Sequence, residues 1–344
     1  MNNLTPTYEL ETIATVANEY ASANVFAEYT LTKAENTLRA QASDLTAFSA
    51  FLTSTGARNV PTAESFMQDP DAWQHVTWGL VESFKRAMVN TGNSTGTINR
   101  RLATVKVYAK LAARAGVLTR ESALLIGDVK GYTGKQAARL DERRETTRVG
   151  TKKARHNSLS FEQAEKLVTM HDLSSPQGRR DQLMVCLFLH HGFRVGEVAG
   201  LQVDWFNLSD NKMYVYRGKT HTEQYHELSK ATLTALTAYI DAGDCPDDGN
   251  LWRKSVKSGE LTEQGLTTRA IAARVRSFGE GLGINNLSPH DLRHYWATYW
   301  ASRVAKSQIS LLQLQEAGGW SAGSLAMLRR YVDEQKIANQ GMVQ

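Results

Sequence analysis

Apolar positions recur at helical spacing through the first third of the chain. Within residues 33–53, Leu38, Leu45, Phe48 and Leu52 fall on one face and predict an amphipathic helix. Residues 62–91, with ESFMQ and then WQHVTWGLVESFKRAMV, predict further short helices. The cluster TGNSTG at 91–96 reads as a turn that supplies N-caps. From Thr97 the positions Ile98, Leu102, Val105 and Leu111 continue as a helix, with Gly116 as its C′ stop. Ser160 and Gln163 form a capping-box pattern that opens another helix. The stretch GRRDQLMVCLFLH at 178–190 is almost wholly apolar after its first turn and predicts a buried helix. There the period changes. KMYVYRG and EQYHELS alternate with period two around Gly218–Thr222, which predicts a β-hairpin. From Ser229 onward the pattern is helical again. The predicted fold class is mainly α: a helical first domain, then a mixed α/β domain with a small antiparallel sheet.

Composition narrows this picture. At 344 residues the chain is long enough for two domains. With 42% hydrophobic residues and only 6 prolines, large-scale disorder is excluded. No apolar run approaches the ~18–20 residues that span a bilayer. The first residues have neither the basic nor the apolar region of a secretory signal. Two cysteines, Cys186 and Cys245, cannot build a disulfide framework or a multi-Cys zinc site, so a reducing, cytosolic compartment is expected. Cys186 lies in the apolar helix and is expected to be buried and inert.

The net charge of +5 is an average over two opposed regions. Residues 1–32 hold four Glu and no Lys or Arg, whereas residues 100–160 carry fifteen basic and five acidic residues. A block this basic is a candidate phosphate-contacting surface, because each neutralised phosphate releases counterions. Arg100, Arg101, Lys106, Lys110, Lys152 and Lys153 are its candidate contacts. The glycines at 127, 131, 134 and 150 and the high charge predict a linker. The expected divisions are an acidic N-terminal segment 1–28, a helical domain 29–125, a basic linker 126–158 and a second domain 159–344.

Four separated segments hold the chemistry. They are Gly192-Phe193-Arg194-Val195-Gly196-Glu197 after the buried helix, Arg217-Gly218-Lys219-Thr220 at the hairpin turn, Ser288-Pro289-His290-Asp291-Leu292-Arg293-His294 at a helix start, and Gly318-Gly319-Trp320 followed by Arg330-Tyr331. Together they resemble the tyrosine recombinase (phage integrase) family. The ordered set Arg, Lys, His-x-x-Arg, Trp, Tyr is specific where each motif alone is weak. The helical region 30–120 resembles that family's core-binding, SAM-like domain. With little sequence before Thr32, and that acidic, no separate arm-type DNA-binding domain is expected, as in the simple Cre and Xer layout.

The resemblance implies a role for each residue. A phosphodiester under attack gathers negative charge, which Arg194 and Arg293 would clamp with planar, permanently charged donors. Tyr331 would be the nucleophile and His290 its base or a phosphate donor. Lys219 would protonate the leaving 5′ oxygen. Trp320 would donate its indole N–H to the phosphate and pack beneath the site, and Glu197 and His294 would orient the other groups. No metal and no nucleotide cofactor is implied, because the phosphotyrosine keeps the bond energy. The implied partners are duplex DNA with inverted-repeat core sites, a homotetramer on two sites and accessory directionality factors, in a cytoplasmic, nucleoid-associated setting. Two rival functions share parts of this pattern: a type IB topoisomerase-like relaxing enzyme, and a non-catalytic DNA-binding regulator.

Other conspicuous residues take structural readings. Tyr295/Tyr299 and Trp296/Trp300 are i,i+4 pairs expected in a helix core. Adjacent helical residues such as His190 and His191 point about 100° apart and make a poor metal pair. The segment Arg217–Thr220 is not a phosphate loop, since Met213 stands where the earlier glycine belongs. Trp320 and Tyr331 are eleven positions apart, wider than is usual in the family, which predicts a lengthened loop before the tyrosine helix.

Overall fold

The computed structural model describes residues 7–144, 157–218 and 220–334. The chain divides into two compact units, Met1–Ala154 and Arg155–Gln344.

The first unit is all-helical: α1 (Thr7–Leu31), α2 (Glu35–Ser54), α3 (Ala63–Gln68), α4 (Trp78–Asn90), α5 (Thr95–Arg114), α6 (Arg120–Asp128) and α7 (Gly134–Glu142). Several of these helices begin on a hydroxyl N-cap, for example Thr77 on α4, Ser94 on α5 and Thr119 on α6. The apolar faces of α2, α4 and α5 meet over an aromatic centre. Trp73, fully buried, stacks between Phe48 at 6.3 Å and Tyr108 at 6.1 Å. Its indole N–H donates to the Phe66 carbonyl at 2.9 Å, so its one polar atom is satisfied.

Two of the expected divisions shift. The described part of the acidic segment 1–28, from Thr7, belongs to α1, which runs on to Leu31 and buries Val25 and Phe26 in the first core. The expected linker 126–158 is partly folded onto this unit as well. The Asn99 side chain bonds both the N–H and the carbonyl of Tyr132, at 2.9 and 2.7 Å. From α7, Asp141 accepts from the N–H and hydroxyl of Thr95 at 2.9 and 2.7 Å. Glycine content and charge predicted a linker throughout; side-chain bonds of high sequence separation, invisible to composition, fix its part up to α7. Residues 145–156, with Lys152 and Lys153, lie outside the described residues.

The second unit contains α8 (Phe161–Thr169), α9 (Pro176–His191), α10 (Val195–Ala199), β1 (Phe206–Asn207), β2 (Lys212–Arg217), β3 (Thr222–Glu227), α11 (Lys230–Asp241), α12 (Thr268–Gly281), α13 (Pro289–Ala305), α14 (Leu311–Ala317) and α15 (Leu325–Glu334). The strands form one antiparallel sheet in the order β1-β2-β3. The hairpin register pairs Lys212 with Glu227 and Arg217 with Thr222. Strand β1, two residues long, is too short to leave a sequence signal. The Ser160–Gln163 capping box forms, with reciprocal bonds of 2.9 and 3.1 Å. Helix α9 is the spine: Leu183 to Leu189 are all buried, and Met213 and Val215 of β2 join the same core. Its first turn buries Arg180, whose Nε and Nη2 donate to Asp181 and whose Nη1 donates to the Arg253 carbonyl. Cys186 is buried, and burial pushes its thiol up to about 12, the inert state expected of it.

Candidate active site

The site begins where α9 ends. Gly192 takes φ +63, and a Cβ there would lie 2.3 Å from the Trp296 ring. Glycine alone serves both the left-handed stop and the close approach. The chain then turns through Arg194, the N-cap of α10. Glu197, at the third position of that helix, accepts the Arg194 N–H at 2.8 Å on Oε2 and the Arg194 guanidinium at 2.6 Å on Oε1. Local helix-capping geometry thus aims both side chains at one place.

Helix α13 supplies the next residues. Ser288 caps it, Pro289 takes the first position, and Asp291 accepts the Ser288 N–H at 2.8 Å. His290, Arg293 and His294 then share one face by i, i+3, i+4 spacing. Arg293 is buried. Its Nη1 donates to the Gly192 carbonyl and its Nη2 to the Gly318 carbonyl at 2.7 Å. The Trp320 ring lies under its guanidinium, 4.5 Å from centroid to Cζ. Trp320 also stacks on Trp296 at 5.9 Å. Trp320 therefore packs under Arg293 and holds its face by cation–π contact. The wide spacing to Tyr331 is taken up by a 3₁₀ turn at Ala322–Ser324 before α15.

A third arginine completes the cluster, and the sequence reading missed it. Arg217 is wholly buried at the end of β2. Its Nη1 donates to Glu197 Oε2 at 2.9 Å and to the Gly318 carbonyl at 3.3 Å. Its Nη2 donates to the Ala317 carbonyl at 2.8 Å and faces His226 Nε2 at 3.3 Å, and its Nε donates to Gln224 Oε1 at 2.7 Å. A guanidinium has no acceptor, so His226 accepts on Nε2 and carries its proton on Nδ1. Gly319, at φ +58, lets this happen, because a Cβ there would lie 2.3 Å from Arg217 Cδ. The signal was present in the alternation of the strand: Met213, Val215 and Arg217 share the inward face.

Three arginines around one carboxylate set the electrostatics. Burial pushes the Glu197 carboxyl up, but Arg217 and the bonds and charge of Arg194 outweigh it and hold the group below its ordinary value. Arg293 comes within 4.0 Å of the same carboxylate. Burial, followed by the charge of Arg194, brings Arg293 down to about 9. Burial and the neighbouring Arg217 bring His226 down to about 4, so it is neutral near pH 7. Three guanidiniums and one carboxylate leave two positive charges, in a setting suited to an anion.

Arg194, His290, Arg293, His294, Trp320 and Tyr331 line one cleft of about 510 Å³. The Tyr331 ring packs edge-on against His294, at 5.1 Å between centroids. His290 is exposed at its rim. Of the residues expected to take part in or orient the chemistry, this cleft gathers all but Glu197, which is not in its lining, and Lys219, which is outside the described residues. Among the described residues no group of His, Cys, Asp and Glu has a metal-binding arrangement.

The aromatic run on α13 needs correction. Trp296 is core, but Tyr295, Tyr299 and Trp300 are partly exposed and line a separate cleft with Glu165 and His190. Helix α13 has too little partner on that side to cover four large rings. His190 and His191 diverge as expected, His190 to Ser229 at 2.7 Å and His191 to Thr232 at 3.0 Å.

In the first unit, Arg100 lies 2.8 Å and Arg101 3.9 Å from the buried Asp44. Arg101 also donates to Asn93 at 3.2 Å, so these two have intramolecular partners. Lys106 and Lys110, with Arg114 and Arg120, line a groove of about 770 Å³ between α5 and α6.

The profile of the phage integrase family matches residues 157–337. Tyrosine recombinase XerC of Chlamydia muridarum is 24% identical over 280 residues, covering 78% of this chain and 80% of that protein. XerC of Pseudomonas aeruginosa is 32% identical over 163 residues, 47% of this chain and half the length of that relative. Among solved structures, the Tn1549 transposon integrase in complex with a circular intermediate DNA aligns with a TM-score of 0.54 at 15% identity, over 83% of this chain and 95% of that one. The XerH site-specific recombinase bound to palindromic difH substrate aligns with a TM-score of 0.54 at 16% identity, over 86% and 73%. These likenesses bear on the fold, and the profile covers more than half of the chain together with its arginine, histidine, tryptophan and tyrosine boxes. The chain belongs to the phage integrase family of tyrosine recombinases.

Proposed function

We propose that the chain is a site-specific recombinase that cuts and rejoins duplex DNA through a 3′-phosphotyrosine at Tyr331. The observation that carries this is the cleft in which Arg194, Arg293, His290 and Tyr331 meet. A scissile phosphate seated there faces two guanidiniums, one fixed from behind by Glu197 and the other by Trp320 and two carbonyls. The phenolic oxygen of Tyr331 attacks phosphorus and gives its proton to His290. The bond to the 5′ oxygen breaks, and that oxygen takes a proton from Lys219. The 5′ hydroxyl of a second strand then attacks the phosphotyrosine and releases Tyr331. Bonds made and broken are equivalent, so no nucleotide is consumed. Preorganised charge supplies the stabilisation of the pentacoordinate state.

The basic groove of the first unit supports a role in holding duplex DNA. In this reading four protomers act on two inverted-repeat sites, exchange one strand pair at a time through a Holliday junction, and use accessory factors to set direction. The protein then works in the cytoplasm at the nucleoid; no described helix is long and apolar enough to cross a membrane.

A nicked suicide substrate tests the reading, because loss of the short 5′ fragment prevents rejoining. The unaltered chain should accumulate a covalent protein–DNA adduct, and Tyr331→Phe should abolish it. Adduct that persists in Tyr331→Phe overturns the assignment. Relaxation of any plasmid, without paired sites, would point instead to a topoisomerase.

A further inference from the structure

We infer that Arg217 is a positioning residue for strand cleavage: a third, inward-turned arginine that sets where Arg194 and Arg293 present their charge. The inference rests on the function proposed above. Arg217 is fully buried and lies behind the cleft, so it acts through its neighbours. Two of its links run to groups that also hold one of the other two arginines. It donates to Glu197, whose other bonds all come from Arg194. It also donates to the Gly318 carbonyl, the same oxygen that accepts Arg293 Nη2. The next carbonyl, of Gly319, accepts Arg194 Nη2 at 3.3 Å.

The loop Ala317–Gly318–Gly319 is therefore gripped by three guanidiniums, and Arg217 touches two of its carbonyls and the carboxylate behind it. Only the planar fork of arginine reaches these acceptors together with Gln224. The close approach of Gly319 to Arg217 shows how tightly loop and side chain are fitted. Trp320, the platform under Arg293, is the next residue of that loop. Without Arg217, Glu197 is free to draw on Arg293 at 4.0 Å, and the loop loses two of its anchors. Displacement of a reacting group by about 1 Å is enough to slow chemistry on the order of 100-fold.

The test uses the full chain and a nicked duplex carrying the core site recovered from the DNA junctions beside its gene. Adduct formation is timed at saturating DNA, and binding is measured separately. Arg217→Met is expected to slow cleavage by about 10–100-fold with DNA affinity within about twofold. Arg217→Lys, which keeps charge but not the fork, should fall between. Two altered phosphates separate positioning from bulk stability. On a methylphosphonate, which lacks one charged oxygen, the clamp matters less and the defect of Arg217→Met should shrink. On a 5′-bridging phosphorothiolate, whose sulfur leaves without a proton, the defect should stay at full size.

A defect equal on all three substrates and matched by loss of folded protein overturns the inference in favour of a structural role. A defect that vanishes on the phosphorothiolate also overturns it, because Arg217 would then act through Lys219. If Arg217→Met does not fold, the partly exposed Gln224→Met removes one contact of Arg217 and should give the same methylphosphonate pattern at smaller size; lack of that pattern overturns the inference too. Tyr331→Phe run alongside keeps the two questions apart, since adduct that survives it counts against the function and not against Arg217.

Discussion

A buried carboxylate stands beside more than one arginine in each unit, Asp44 in the first and Glu197 in the second, and these two behave oppositely. Asp44 in the first unit is 1% exposed at its side chain, and Glu197 in the second is 8% exposed. Burial raises the Asp44 pKa, and the bond from Thr104 with the charges of Arg100 and Arg101 fails to reverse this. At Glu197 the arginines win. The difference is geometric. Arg100 is half-exposed, and its Nη1, though 2.8 Å from Asp44 Oδ1, lacks hydrogen-bond alignment, so solvent screens the pair. Arg217 is wholly buried and aligned on Glu197. The same residue types make a tolerated internal charge in one place and an organising centre in the other.

The strongest way to break this comparison is Glu197→Gln. It leaves Arg194, Arg217 and Arg293 without their shared counter-charge. Removing one partner of a buried pair costs about 3–5 kcal/mol, and that loss should appear in urea unfolding of the second unit. Cleavage should fall with it, because Arg194 loses its backing. A change below about 1 kcal/mol would show that Glu197 is no more organising than Asp44.

Arg293→Lys comes next. A lysine keeps the charge but cannot donate to the Gly192 and Gly318 carbonyls while facing a phosphate, and it loses the planar stack on Trp320. Single-turnover cleavage should drop by about 10²–10³, the usual effect of removing one donor to developing charge. Stability should move far less than in Glu197→Gln. A lysine variant with near-normal cleavage would show that charge alone, without the fork, serves the clamp.

Much of both regions was legible in the sequence. Arg194, Glu197, His290, Arg293 and Tyr331 were picked out by resemblance to the family's short motifs, and each of those motifs sits at a helix start or on a helix face. The helices of the first unit and the β2–β3 hairpin were legible because period and caps are local. What could not be read depends on contacts far apart in sequence. Arg217 meets Gly318 only because a strand end and a loop 101 residues later are packed together. The grip of Asn99 on Tyr132, which holds the first part of the expected linker on the first unit, spans 33 residues. Trp320 was expected to pack beneath the site, but its cation–π contact with Arg293 was not legible, since a motif names a residue and not which of its faces is engaged.

A finer test is pH. Glu197 has a depressed pKa, so its contribution to stability is complete above its ordinary 4.5 and is lost as pH falls through the lower folded value. Asp44 has a raised pKa, so its contribution is complete below its ordinary 3.8 and is lost as pH rises through the higher folded value. Hydrogen exchange followed by unit should therefore show Glu197→Gln converging on the unaltered chain only in strong acid. Asp44→Asn should match the unaltered chain in acid and become slightly the more stable of the two as pH rises through the raised pKa of Asp44, the opposite direction. Parallel pH profiles for both variants would break the contrast.

The smallest expected effect is Asp44→Asn itself. The amide oxygen can still accept the Thr104 hydroxyl, which reaches Asp44 Oδ2 at 2.8 Å. What disappears is a carboxylate whose burial is unfavourable and whose arginines are partly screened. Loss of the ion pairs and relief of desolvation oppose each other, so stability at neutral pH should change by less than about 1 kcal/mol. The freed Arg100 and Arg101 also add one net positive charge beside the basic groove, and non-specific DNA binding at low salt should tighten slightly, with a steeper salt dependence. A loss near that of Glu197→Gln would mean that alignment and exposure do not decide what a buried carboxylate contributes here. A near-neutral result would leave geometry, and not residue type, as the reason that only one of the two carboxylates organises a site.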